Sequence, residues 1–161
     1  MEKTQRYLGV ENGVVFCADH VEDGEICGKA YHSYRCEPLE IKGIGRLISG
    51  LEKFYDSICF PHPGVNERSF QENVNKKQDM ERRMKVMSDE ELLRRHGELG
   101  TFIIRVQHRQ NGSWQGRITW TEKDKTIYFR SVWEMVKLIE GALDAAGCRE
   151  EKPFKENWEE E

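Results

Sequence analysis

The sequence predicts an α+β fold made of two tandem β-β-β-α modules, each a three-stranded antiparallel meander with one helix, joined by a partly helical linker. Three observations predict it. Displaced by 88 positions, the chain aligns with itself without a gap, residues 13–57 over residues 101–145. Gly24, Gly28, His20, Glu52 and Asp56 fall on Gly112, Gly116, His108, Glu140 and Asp144, and the apolar positions coincide although identity is low. That is the pattern of two copies that keep one fold and diverge on the surface. Second, segments with period-two alternation flank an Asn111-Gly112 turn in the second copy, and Gly24 stands at the matching place in the first. Third, each set of strands runs into an apolar stripe with helical spacing.

The first module spans residues 13–60. Its strands are expected over 14–21, 25–34 and 39–42, and its helix over 43–57, with Ile44, Leu47, Ile48, Leu51 and Tyr55 inside. Gly43 occupies the cap position, and Gly45 and Gly50 each weaken the helix by about 1 kcal/mol relative to Ala. The linker, 61–99, begins with Pro61, Pro63 and Gly64, passes through a polar stretch at 66–78, and then forms a short helix over 89–96. Ser88 and Glu91 make a capping box there, with a Met87–Leu92 staple and Gly97 as the stop.

The second module spans 100–148. Along 101–109, Phe102, Ile104, Val106 and His108 alternate with Ile103, Arg105, Gln107 and Arg109. A turn at 110–113 leads to a strand over 114–122 whose inner face carries Trp114, Gly116, Ile118 and Trp120. A third strand over 126–130 faces Ile127 and Phe129 inward. Ser131 and Glu134 form a capping box for a helix with Val132, Met135, Val136, Ile139 and Leu143 on one stripe. Residues 149–161 are an acidic tail. Two modules this small are expected to share a core, either edge to edge in one sheet or helix to helix.

The 161 residues carry a net charge of −4, unevenly spread. The stretch 101–148 is +2, whereas 13–60 and the tail are each −3. A mildly acidic chain with one basic module argues against indiscriminate DNA coating and for a local contact. No secretory leader and no apolar run long enough for a membrane helix are read here, and five irregularly spaced cysteines fit a reducing cytoplasm.

The outer face of the second sheet is the main candidate site, with Arg105, Gln107, Arg109, Gln115, Arg117, Thr119, Tyr128 and Arg130 and no acid. Arginine forks suit phosphates and guanine edges, glutamine pairs with adenine, and tyrosine stacks on bases. Trp114-x-Gly116 opening the second strand, Phe129-x-Ser131 leading into the helix, and Arg105 and Arg109 on the outer register resemble the AP2-type and integrase-arm DNA-binding modules. The resemblance implies a three-stranded sheet in the major groove, with Arg105, Arg109, Arg117 and Arg130 as contacts. The first module lacks this face, having Cys17, Asp19 and Val21 at the positions of Arg105, Gln107 and Arg109.

Other constellations point elsewhere. Asp19, Glu22, Asp23, Glu25, Glu37 and Glu40 form an acidic surface for a basic protein partner. Cys17, His20, Cys27, His32 and Cys36 lack zinc-knuckle spacing, and alternation separates Cys17 and Cys27 from His20 and His32. His20 and His108 are read as structural. Gly24-x-x-x-Gly28 and Gly112-x-x-x-Gly116 lie in hairpins, not between a strand and a helix, so no phosphate cradle is expected.

The expected function is therefore a non-catalytic binding protein, without metal or cofactor, presenting a basic sheet to nucleic acid or a nucleoprotein. The alternative is a small acidic regulator or inhibitor of a protein partner, such as a mobile-element protein that blocks a host nuclease complex without touching nucleic acid.

Overall fold

A computed structural model describes residues 12–62, 70 and 85–145. The expectations for Pro63, Gly64, residues 66–69 and 71–78, the end of the second module at 146–148 and the tail at 149–161 lie outside these. The fold is α+β, with a six-stranded antiparallel sheet in the order β3-β2-β1-β4-β5-β6. The strands are β1 (Val14–Glu22), β2 (Glu25–His32), β3 (Leu39–Lys42), β4 (Gly100–His108), β5 (Gln115–Trp120) and β6 (Lys125–Phe129). The helices are α1 (Ile44–Ile58), α2 (Asp89–Leu93) and α3 (Val132–Ala145), and a 3-10 turn at Thr121–Lys123 links β5 to β6.

Of the two packings left open by the sequence, the strands take the edge-to-edge one. β1 and β4 pair at the centre, Val14 with Ile104, Val15 with Ile103 and Phe16 with Phe102. Registers on the two sides run in step. Phe16↔Ala30 and Ala18↔Gly28 in β1–β2 stand 88 residues from Ile104↔Ile118 and Val106↔Gly116 in β4–β5. Gly28↔Ile41 in β2–β3 likewise stands 88 from Gly116↔Phe129 in β5–β6.

One departure from alternation changes the reading of both halves. Each long strand carries a bulge, with Asp19 the extra residue between Ala18 and His20, and Gln107 between Val106 and His108. An inserted residue turns every following side chain to the opposite face. His20 and His108 therefore do not lie on the inner register: His20 pairs with Cys27 and His108 with Gln115, and both histidines are exposed. Arg109, expected outside, goes in.

Glycine is required opposite each bulge. A Cβ on Gly28 would run into the carbonyl oxygen of Cys17, and one on Gly116 into that of Arg105. The carbonyl just before each bulge finds a donor outside its hairpin. Leu99 N donates to Ala18 O at 2.8 Å, and Asn12 Nδ2 donates to Val106 O. The hairpin turns fit their sequences, since Asp23 and Gly24 have φ of 51° and 78°, and Asn111 and Gly112 have 55° and 70°. Asp-Gly and Asn-Gly accept this left-handed geometry readily.

Helices α1 and α3 cover one face. Leu47, Leu51, Phe54 and Tyr55 of α1 and Met135, Ile139 and Leu143 of α3 share one core with the inward residues of all six strands. Glu134 N donates to Ser131 Oγ at 3.1 Å, as the capping box requires. Across the other face lies the segment around α2. Glu91 N donates to Ser88 Oγ at 3.2 Å, and Met87 and Leu92 close a small second core on Val15, Cys17 and Ile103. The helix is shorter than the 89–96 expected. After Leu93 the residues Arg94, Arg95 and His96 are exposed and give it nothing to bury. Gly97 is not its stop; it lies where a Cβ would strike the backbone of Ala18.

Candidate functional site

The outer face of β4, β5 and β6 is built by the pleat. Because Phe102, Ile104, Ile118 and Phe129 face the helices, Arg105, Arg117, Thr119, Thr126 and Tyr128 face away from them. Arg105 and Arg117 are direct cross-strand partners, and Arg117 is in turn opposite Tyr128. Both guanidinium groups are half-buried and Tyr128 is exposed. The Arg117 guanidinium lies 5.9 Å from the centre of the Tyr128 ring. Arg105 donates to Thr119 Oγ1 at 2.8 Å, and that hydroxyl is 2.8 Å from Thr126 Oγ1. Burial, and after it the adjacent Arg117 charge, hold Arg105 below its ordinary pKa, with Tyr128 acting the other way. Like charges directly opposite one another destabilise a sheet, so this pair costs the fold stability.

The remaining expected contacts separate. Arg130 is exposed at the end of β6 but donates to Glu134 at 2.8 Å, so its charge is partly matched. Gln107 is the exposed bulge residue. Gln115 is occupied in holding the 110–115 turn: its Oε1 accepts from Gln110 N at 3.0 Å and its Nε2 donates to Gln110 O at 3.1 Å. Arg109 is a correction to the sequence reading. The Gln107 bulge turns it onto the helix-covered face, where it is 5 % exposed. There Nε donates to Pro61 O and Nη1 to Asp56 Oδ1, both at 2.7 Å, and the guanidinium lies 5.8 Å from the centre of the Tyr55 ring. Trp114, quoted for the family resemblance, is also inside, edge-on to Tyr55 at 5.5 Å.

The centre of the outer face is covered by the α2 segment, and Arg95 lies 5.0 Å over the Tyr31 ring. Beyond it, Glu22 and Glu25 of the first half are direct cross-strand partners on either side of the Asp23-Gly24 turn, whereas the other acids engage separate neighbours. Asp19 Oδ1 accepts from Glu98 N at 3.3 Å, Glu37 pairs with Arg35 at 3.5 Å, and Glu40 lies opposite Lys29. Because of the Asp19 bulge, His20 shares a face with Cys27, contrary to simple alternation. The ligand atoms of His20, Glu22 and Cys27 all lie within 4.8 Å of one another, the one such group among the described residues. Histidine, carboxylate and thiol suit zinc, but His20 and Glu22 are mostly exposed and already lie 3.7 Å apart as a pair. Cys17 is buried, and its thiol is pushed up to about 12 by burial, then by Asp19 and Glu122. A thiol held protonated at neutral pH is a poor nucleophile.

Sequence reading overlooked Thr126, which braces Arg105 through Thr119, and Asp56, which neutralises Arg109. No helix among the described residues is long and apolar enough to cross a membrane. Compared with protein-family models, with curated proteins and with solved structures, the chain matches none.

Proposed function

We propose that this chain is a non-catalytic binding protein whose β4–β5–β6 face takes a phosphate-bearing polymer, nucleic acid in the first place. The observation that carries the reading is the Arg105–Arg117 pair. Two half-buried guanidinium groups stand directly opposite each other, beside an exposed tyrosine ring, on three strands whose outward positions hold no acid. A fold that maintains this repulsion gains from an anion that relieves it. Each guanidinium presents a planar fork matched to phosphate oxygens, and Tyr128 offers a stacking surface for a base. Arg130 and Gln107 flank the patch, whereas Arg109 belongs to the core and not to the contact surface.

We propose further that the chain is a tandem duplication of one β-β-β-α unit, as the 88-residue offset of its pairs and bulges supports. The second copy then carries the ligand face, and the first supplies the other half of the sheet.

Fluorescence anisotropy with single-stranded and duplex oligonucleotides at low and physiological salt tests the reading. Micromolar binding is expected, with log affinity falling linearly with log salt. Arg105→Ala with Arg117→Ala is expected to abolish binding at physiological salt and lower the salt slope by about 1–2. Arg109→Met, which also removes one positive charge, is expected to leave binding intact. Absence of binding at low salt, or equal loss in Arg109→Met, would overturn the assignment.

A further inference from the structure

On the opposite side of the sheet, a cavity of about 260 Å³ opens between α3 and the strands. Phe102, Ile118, Trp120 and Ile127 form its floor, Ala142 stands in its wall, and Lys125 and Lys137 are the charged residues that line it among the described residues. The floor consists of cross-strand rows, Phe102–Trp120–Lys125 and Ile118–Ile127.

The first half of the chain shows what such a position holds when filled. The residues 88 places before Trp120 and Ala142 are His32 and Phe54. Phe54 stacks on His32 with ring centres 4.0 Å apart and planes 15° from parallel. Both are buried. In the second half the stacking platform is enlarged from imidazole to indole, while the ring that would cover it is cut back to a methyl group. Closure from the helix is missing as well: Gly141 also lines the cavity, and a Cβ there would meet nothing within 4 Å. Protein interiors are close-packed, whereas this apolar hollow stays open at the edge of the core, where Ile127 is 49 % exposed. An engineered apolar cavity of about 150 Å³ takes up benzene, so this one has room for a bicyclic ring.

We propose that this cavity binds a small planar aromatic anion, with its ring stacked on Trp120 as Phe54 stacks on His32 and its negative group facing Lys125 and Lys137. Aromatic pairs favour offset stacking at this spacing. The two lysines select an anion over a neutral ring. The site is separate from the arginine face, because Trp120 and Ile118 point to the helices and Arg117 and Thr119 point away from them.

The test is calorimetric titration of the full chain with naphthalene-2-carboxylate, alongside naphthalene-2-carboxamide and cyclohexanecarboxylate. One-to-one binding of the aromatic carboxylate with a Kd below about 1 mM is expected, with both comparison compounds weaker by at least about fivefold. Ala142→Phe supplies the missing ring and is expected to weaken binding by more than about tenfold without loss of fold. Lys125→Ala with Lys137→Ala is expected to bring the carboxylate down to the affinity of the carboxamide. Backbone amide shifts on titration are expected in α3 and β6 around Ala142 and Ile127. They provide the localisation should Ala142→Phe fail to fold. No binding to the full chain, unchanged affinity in a folded Ala142→Phe, equal binding of the saturated acid, or shifts confined to the Arg105–Tyr128 face would overturn the proposal.

Discussion

The interior placement of Arg109 makes an asymmetric stability prediction. Arg109 is 5 % exposed, whereas the Asp56 side chain is 40 % exposed. Asp56→Ala leaves a buried guanidinium with Pro61 O as its remaining hydrogen-bond acceptor. Breaking one side of a buried pair costs about 3–5 kcal/mol. Arg109→Met removes the buried charge and keeps most of the stem packed on Tyr55. The carboxylate it abandons reaches water, so a loss nearer about 1–2.5 kcal/mol is expected, at the level of a charged hydrogen bond. The double variant should be no worse than Asp56→Ala alone, because the orphaned charge is gone. Urea denaturation with a shared slope gives all three values. If Asp56→Ala lies within about 0.5 kcal/mol of the parent, or Arg109→Met costs more than Asp56→Ala, the bulge argument that buries Arg109 fails.

The bulges and thiols give further expectations. Gly28→Ala and Gly116→Ala each force a Cβ into a neighbouring strand's carbonyl and are expected to destabilise by more than about 2 kcal/mol, whereas Gly45→Ala, in open space on α1, is expected to stabilise by about 0.5–1 kcal/mol. Thermal melts of the three variants would show it, and equal effects would contradict the geometry. The Cys17 thiol titrates at about 12 when folded against an ordinary 9.0, so its contribution is fully present below about pH 9 and is lost as pH rises toward 12. Burial raises the Tyr55 hydroxyl as well, in the same destabilising sense at alkaline pH. Unfolding midpoints from pH 7 to 10.5 should fall, and fall less in Cys17→Ala. Under native conditions a thiol reagent should label exposed Cys36 quickly and buried Cys17 slowly, and equal rates would speak against the α2 cover.

Much of this fold is legible in the sequence because its signals are local. The Asn111-Gly112 turn, the Ser131 and Ser88 caps, and most of the inward set from Val14 to Leu143 follow from turn chemistry and periodicity alone, although Ile127, expected inside, is 49 % exposed. The limit of that reasoning is the bulge. Alternation assumes one residue per step, and Asp19 and Gln107 break the count in a way that shows only as a preference for glycine on the partner strand. The aligned pair Gly28 and Gly116 was that signal; read as a hairpin feature, it left His20, His108 and Arg109 on the wrong faces. Arg105, Arg117 and Tyr128 precede or avoid the bulge, and their placement was accessible. The cavity is legible in principle as well, from the alignment of Phe54 with Ala142, one mismatch within an otherwise matching apolar stripe.

The joint between β1 and β4 has a consequence for solubility. These are the two longest strands, nine residues each, and Val14–Ala18 and Thr101–Ile104 are buried throughout. Left unpaired, either would present an apolar ribbon with open backbone donors and acceptors, the kind of edge that recruits foreign strands. Paired with each other, they consign the open margins of the sheet to β3 and β6, of four and five residues, studded with Glu40, Lys42 and Lys125. Cutting the chain between its halves would therefore release two sticky fragments rather than two working parts.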